Sequence, residues 1–158
     1  MEEGQQIFSK ANHEMGALVT VLDDELHERI TVLTDAGNRK FEAGRYEEAK
    51  GDYLQALALV PEPLEEWEAS TWILTAIGDC CFLLGDYEAA RGYLERGLDC
   101  PDVGGSEFLI LRTGQVRLEL GDEEGAREAL GSAWRLGGAK LFDGEDPKYL
   151  AFLRRVRR

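Results

Sequence analysis

Residues 78–90 read GDCCFLLGDYEAA, and two other windows nearly repeat them: GNRKFEAGRYEEA at 37–49 and GQVRLELGDEEGA at 114–126. Each opens on Gly, has a second Gly seven residues later and closes on Ala, and the opening glycines lie 41 and then 36 residues apart. A glycine inside a helix costs about 1 kcal/mol in propensity. That cost makes sense where a neighbouring helix packs on bare backbone, so Gly37, Gly78 and Gly114 are read as contact points midway along the first helix of a pair. Gly44, Gly85 and Gly121 then fall in the tight reversal between paired helices. Ala49, Ala90 and Ala126 permit close approach from the second helix. Tyr53, Leu94 and Leu130, with Ala56, Gly97 and Ala133, supply alternating large and small packing residues.

Working outward, apolar residues recur at helical spacing throughout. Asp23 and Asp24 offer a cap, and Leu26, Ile30, Leu33, Gly37 and Phe41 mark a first helix. A second runs from Tyr46 to Val60 and stops at Pro61 and Pro63. Glu65 to Leu84 reads as one longer helix carrying Trp67 and Trp72; the longer first spacing is taken as extra turns at its start. Tyr87–Leu98, Glu107–Leu120 and Glu123–Leu136 follow, with DVGGS at 102–106 as a loop and Ser106 as a cap. Pro147 starts a short closing helix, 147–155. The expectation is all-α: a lead-in at 1–22 and one domain at 23–158, with repeats at about 30–63, 71–104 and 107–140 and a C-terminal capping helix.

Composition bounds the function. The 158 residues are 44% hydrophobic and 31% charged, with net charge -13. All of that charge lies in residues 1–100, since 101–158 carry 10 acids and 10 bases. Such a surface repels nucleic acid and attracts basic partners. Cys80, Cys81 and Cys100 are read as buried thiols. With His13 and His27 far upstream of them, neither zinc nor any other metal or cofactor is expected. No signal peptide or membrane span is read, so the expected location is the cytoplasm and no membrane partner is foreseen. No catalytic constellation or phosphate loop stands out, so no catalytic residues are assigned and an enzyme is not expected.

The pattern resembles the tetratricopeptide repeat family over nearly all of residues 26–138. The first copy carries Leu33, Gly37, Asn38, Phe41, Gly44, Tyr46, Ala49, Tyr53, Ala56, Leu57 and Pro61. The second departs at Gly97 and the third at Glu123. The resemblance implies three helical hairpins in a right-handed solenoid, with a groove lined by the first helix of each pair. Groove positions are then Thr31, Thr34, Asn38 and Phe41; Trp72, Thr75, Asp79 and Phe82; and Phe108, Leu111, Gln115 and Leu118. Glu65, Glu66 and Glu68 form an acidic lip, read either as favourable helix-start charge or as a contact for a basic partner. Family members that hold acidic chaperone tails use several bases in this groove, whereas Thr34, Asn38, Asp79 and Gln115 include none.

The stretches EWEASTWILTAIGD at 66–79 and FDGEDPKYLAFL at 142–153 also look like small bacterial immunity proteins that accompany polymorphic toxins. That resemblance implies stoichiometric neutralisation of a basic toxin domain, a nuclease among the candidates. The alternative is a generic adaptor or assembly chaperone holding a peptide or helix in its groove. A third reading is a homodimer that covers the stack's apolar ends.

Overall fold

The computed structural model describes residues 22–102 and 106–156. The expected lead-in falls outside these residues except for Leu22. Seven α-helices, and no strand among the described residues, make up the fold: α1 (Asp24–Glu42), α2 (Tyr46–Leu59), α3 (Glu68–Leu83), α4 (Tyr87–Leu98), α5 (Glu107–Glu119), α6 (Glu123–Gly137) and α7 (Pro147–Val156). The pairs α1/α2, α3/α4 and α5/α6 are hairpins, each packed on the next, and α3 also touches α5.

The three reversals share one construction. Gly44, Gly85 and Gly121 have φ of 76°, 80° and 85°, a left-handed region where a side chain is strained. The next N–H of each turn, from Arg45, Asp86 and Asp122, donates back to Lys40, Cys81 and Arg117 carbonyls at 2.9 Å. Asp86 and Asp122 then cap the following helices, accepting from the Ala89 and Gly125 amides at 3.2 and 2.9 Å. Asp23 does the same for α1, accepting from Glu25 at 2.8 Å.

Gly37, Gly78 and Gly114 are where the paired helices meet. A Cβ at these sites would lie 2.6 Å from the Tyr53 ring, 2.5 Å from Leu94 and 2.8 Å from Leu130. Ala49, Ala56, Ala90, Ala126 and Ala133 are completely buried beside them. One core runs through the first two pairs and includes Ile30, Tyr53, Trp67, Ile73, Ile77 and Leu94. A second joins Leu111, Ala126, Leu130 and Ala133 to Phe142, Tyr149, Phe152 and Leu153.

Two local expectations are corrected. The long helix from Glu65 is not continuous: Leu64–Glu66 is a 3₁₀ turn, and α3 begins at Glu68. The break falls at Trp67, whose backbone is extended (φ -117°, ψ 129°), and Leu64 and Trp67 are both buried in the core on either side of the 3₁₀ turn. Ser106 does not cap α5; its backbone is already helical and its hydroxyl bonds Asp102 at 3.1 Å.

Gly114→Ala forces a methyl against the Leu130 backbone nitrogen, 2.9 Å away, whereas a methyl at Gly51 meets nothing within 4 Å. In urea titrations Gly114→Ala is expected to lose about 1–3 kcal/mol. Gly51→Ala, on α2, is expected to gain up to about 1 kcal/mol from helix propensity.

Candidate partner-binding groove

The first helices α1, α3 and α5 carry the groove positions. The densest chemistry on them surrounds Arg112, a residue three before Gln115 and therefore on the same face of α5. Arg112 is only 5% exposed. Its Nη2 lies 2.8 Å from Asp79 Oδ1, and its Nη1 donates to Gln115 Oε1 at 2.7 Å and to Glu145 Oε2 at 3.0 Å. Gln115 Nε2 donates to the same Glu145 oxygen at 3.0 Å. The guanidinium also sits 4.2 Å from the Phe82 ring centre and 4.9 Å from that of Phe108, where the ring faces attract a cation. Its Nε is buried without a hydrogen-bond partner. Burial raises the Asp79 carboxyl above the usual range; Arg112 pulls it back and Glu145 adds repulsion.

The C-terminal segment supplies the remaining walls. A 3₁₀ turn at Ala139–Phe142 leads to Gly144, at φ 80°, and then to Glu145 and α7. The Tyr149 hydroxyl donates to Glu119 at 2.7 Å, and its ring lies 6.4 Å from that of Phe82. Lys148 pairs with the same Glu119 oxygen at 2.5 Å. Burial pulls the Glu119 carboxyl upward, but donation from Lys148 and Tyr149 outweighs it and holds the group below its ordinary value.

This packing changes the fate of several expected groove residues. Leu111 and Gln115, placed on the groove wall from sequence, are 0% exposed, because Phe142, Tyr149 and Glu145 lie over them. Asp79 is not a free acid on the groove floor but the partner of Arg112. Phe82, Phe108 and Leu118 are half-buried. Thr31, Thr34 and Thr75 turn their hydroxyls back to carbonyls of their own helices at 2.9, 3.0 and 2.6 Å. Asn38 is exposed and accepts from the Tyr53 hydroxyl at 2.7 Å, and Phe41 meets Tyr46 edge-on at 5.1 Å. Trp67 is core, while Trp72 is half-buried on α3.

At the lip, Glu65 and Glu66 are exposed and Glu68 is half-buried. Arg96 approaches Glu62 and Glu65 at 3.8 and 3.6 Å, which neutralises part of the acidic run. Burial raises the Glu68 carboxyl. The thiols are buried and free, with Cys80 pushed up to about 12 and Cys100 to about 11 by loss of solvent, so neither is a ready nucleophile. Among the described residues no cluster of three or more His, Cys, Asp or Glu is placed to hold a metal, and no helix is long and apolar enough to cross a membrane.

The family model for the tetratricopeptide repeat matches residues 21–101, and the chain belongs to that family. No curated protein sequence matches it. Among solved structures, it resembles the second TPR domain of human RPAP3 in complex with an HSP70 peptide, at 19% identity and TM-score 0.61, covering 84% of this chain and 98% of that one. It also resembles the Yersinia enterocolitica type III secretion chaperone SycD in complex with a peptide of the translocator YopD, at 18% identity and TM-score 0.62, covering 87% and 95%. A third is the C-terminal TPR-containing domain of a Plasmodium falciparum FK506-binding protein, at 17% identity and TM-score 0.66, covering 88% and 93%. At these identities the likeness is one of fold.

Two expectations follow from the site. Arg112→Met strands Asp79 in the interior and should lose about 3–5 kcal/mol. Adding Asp79→Asn should recover part of that loss, and a double-mutant cycle by chemical denaturation reads the coupling. Glu119, with its folded pKa depressed, contributes stability above its unfolded pKa of about 4.3 that is lost as pH falls through the folded value. Acid titration followed by circular dichroism should therefore show a smaller acid-induced loss in Glu119→Gln.

Proposed function

We propose that the chain is a non-enzymatic protein-binding module, an adaptor or assembly chaperone that holds a peptide or helix of its partner against α1 and α3. The observation that carries this reading is the asymmetry of the groove. The C-terminal segment covers positions on α5, while Trp72 stands half-buried on α3 and Asn38 is exposed on α1. A half-buried Trp on one first helix and an exposed amide on another supply apolar anchoring and a hydrogen-bonding rim. RPAP3 and SycD, which resemble this chain, were solved with bound peptides, and that supports the same mode here. The acidic chaperone tail is a poor fit. Arg112 is already engaged by Asp79 and Glu145, and Thr34 and Asn38 bring no charge.

The finer reading, neutralisation of a basic toxin domain, rests on the net charge of -13 and the exposed Glu65 and Glu66. The peptide-bound likenesses favour the adaptor. The two readings separate in a pull-down from native lysate read by mass spectrometry. For the adaptor, several partners should be retained with little dependence on salt, and Trp72→Ala should reduce their capture at least about tenfold with helicity unchanged. A single basic partner bound one-to-one, released by salt and by charge reversal at Glu65, Glu66 and Glu68, would favour neutralisation. Retention unaffected by any of these changes would overturn the placement of the interface.

A further inference from the structure

Among the residues of the closing segment that meet the third repeat are Glu145, Tyr149, Phe152 and Leu153. Tyr149, Phe152 and Leu153 share one face of α7, the pattern by which an amphipathic helix lies in a groove, and Glu145 sits in the bend two residues before that helix begins. Glu145 reaches Arg112 and Gln115 at 3.0 Å, while Tyr149, Phe152 and Leu153 are buried with Leu111 and Leu130. The covered positions on α5 correspond in the repeat to those that α1 and α3 leave more open. We infer that this half of the groove is a helix-accepting site filled by the chain's own C-terminal segment, and that a partner helix with an apolar face and an acid just before its first turn displaces it. The inference rests on the groove-binding reading and adds the chemistry of the partner.

Three features make displacement feasible rather than ruinous. First, Gly138 and Gly144, at φ 65° and 80°, flank the short 3₁₀ turn that leads from the last repeat helix into Glu145 and α7. Second, the ionic cluster holds two carboxylates on one guanidinium. When Glu145 leaves, Asp79 still neutralises Arg112, so opening strands no buried charge. Third, the buried Nε of Arg112 retains an unused donor, so the closed arrangement leaves hydrogen-bonding capacity at the site. The apolar burial lost by the segment is regained from the incoming helix, which makes the event an exchange rather than an exposure to water.

The test uses the full chain and a fluorescein-labelled peptide of residues 139–156 as the probe. Peptide should bind the wild-type chain weakly, because its own segment competes. Binding should tighten at least about tenfold in Glu145→Gln, whose latch is weakened. Hydrogen exchange by mass spectrometry should show residues 143–156 losing protection at saturating peptide while α3 and α5 keep theirs. Should Glu145→Gln fail to fold by circular dichroism, exchange on the wild-type chain with saturating peptide decides. No binding to the folded chains, or binding with the protection of 143–156 unchanged, would make the segment a permanent cap and overturn the inference. Such a result leaves the proposed contact at Trp72 standing, because the probe contains no part of an outside partner.

Discussion

Each helix pair depends on a side chain of its second helix resting on the bare backbone of its first. Tyr53, Leu94 and Leu130 occupy the space where Gly37, Gly78 and Gly114 would otherwise carry a Cβ. The close approach sets how near the paired helices lie, and the buried alanines on the second helices keep that distance along the hairpin. The left-handed glycines at the reversals return the chain at matching points, so each hairpin offers the next a similar surface. From this geometry α3 and α5 come into direct contact, which lets Asp79 of one repeat reach Arg112 of the next.

The groove's chemistry is therefore decided by what the architecture leaves unpaired. In the first repeat, threonine hydroxyls bond their own helix and Asn38 is engaged by Tyr53. In the third, a base is present but is held by two acids, an amide and two aromatic faces. Little free charge remains along these walls. In the proposed groove-binding mode, apolar contact would then dominate recognition, with the acidic excess acting mainly at the rim and at longer range.

Much of this was legible in the chain. The glycine and alanine register marked the three pairs because backbone contact admits few residue types, and those types repeat. The closing helix was readable from Pro147 and the spacing of Tyr149, Phe152 and Leu153. The Arg112 cluster was not. Its parts come from α3, α5 and the loop after the last repeat, with Asp79 and Glu145 respectively 33 residues before and after Arg112. Charged residues are also common in this chain, so no local pattern distinguishes Arg112 from a solvated one. Leu111 and Gln115 were misplaced for the same reason: repeat position puts them on the groove, while only the tertiary path of residues 142–149 covers them. The bend at Leu64 was hidden because an apolar residue beside two glutamates suits a helix start as well as a 3₁₀ turn.

The shared guanidinium also bears on how this array can change in length. Stacked repeats usually grow or shrink by duplication or loss of whole units, since each contacts only its neighbours. Here Arg112 joins the second repeat, the third and the tail that follows. A duplicated third unit would add a second buried arginine that faces Gln115, the repeat counterpart of Asp79, and a deleted one would leave Asp79 without a counter-ion. The cluster thus works as a length gauge, tying the number of units between Asp79 and Glu145 to one.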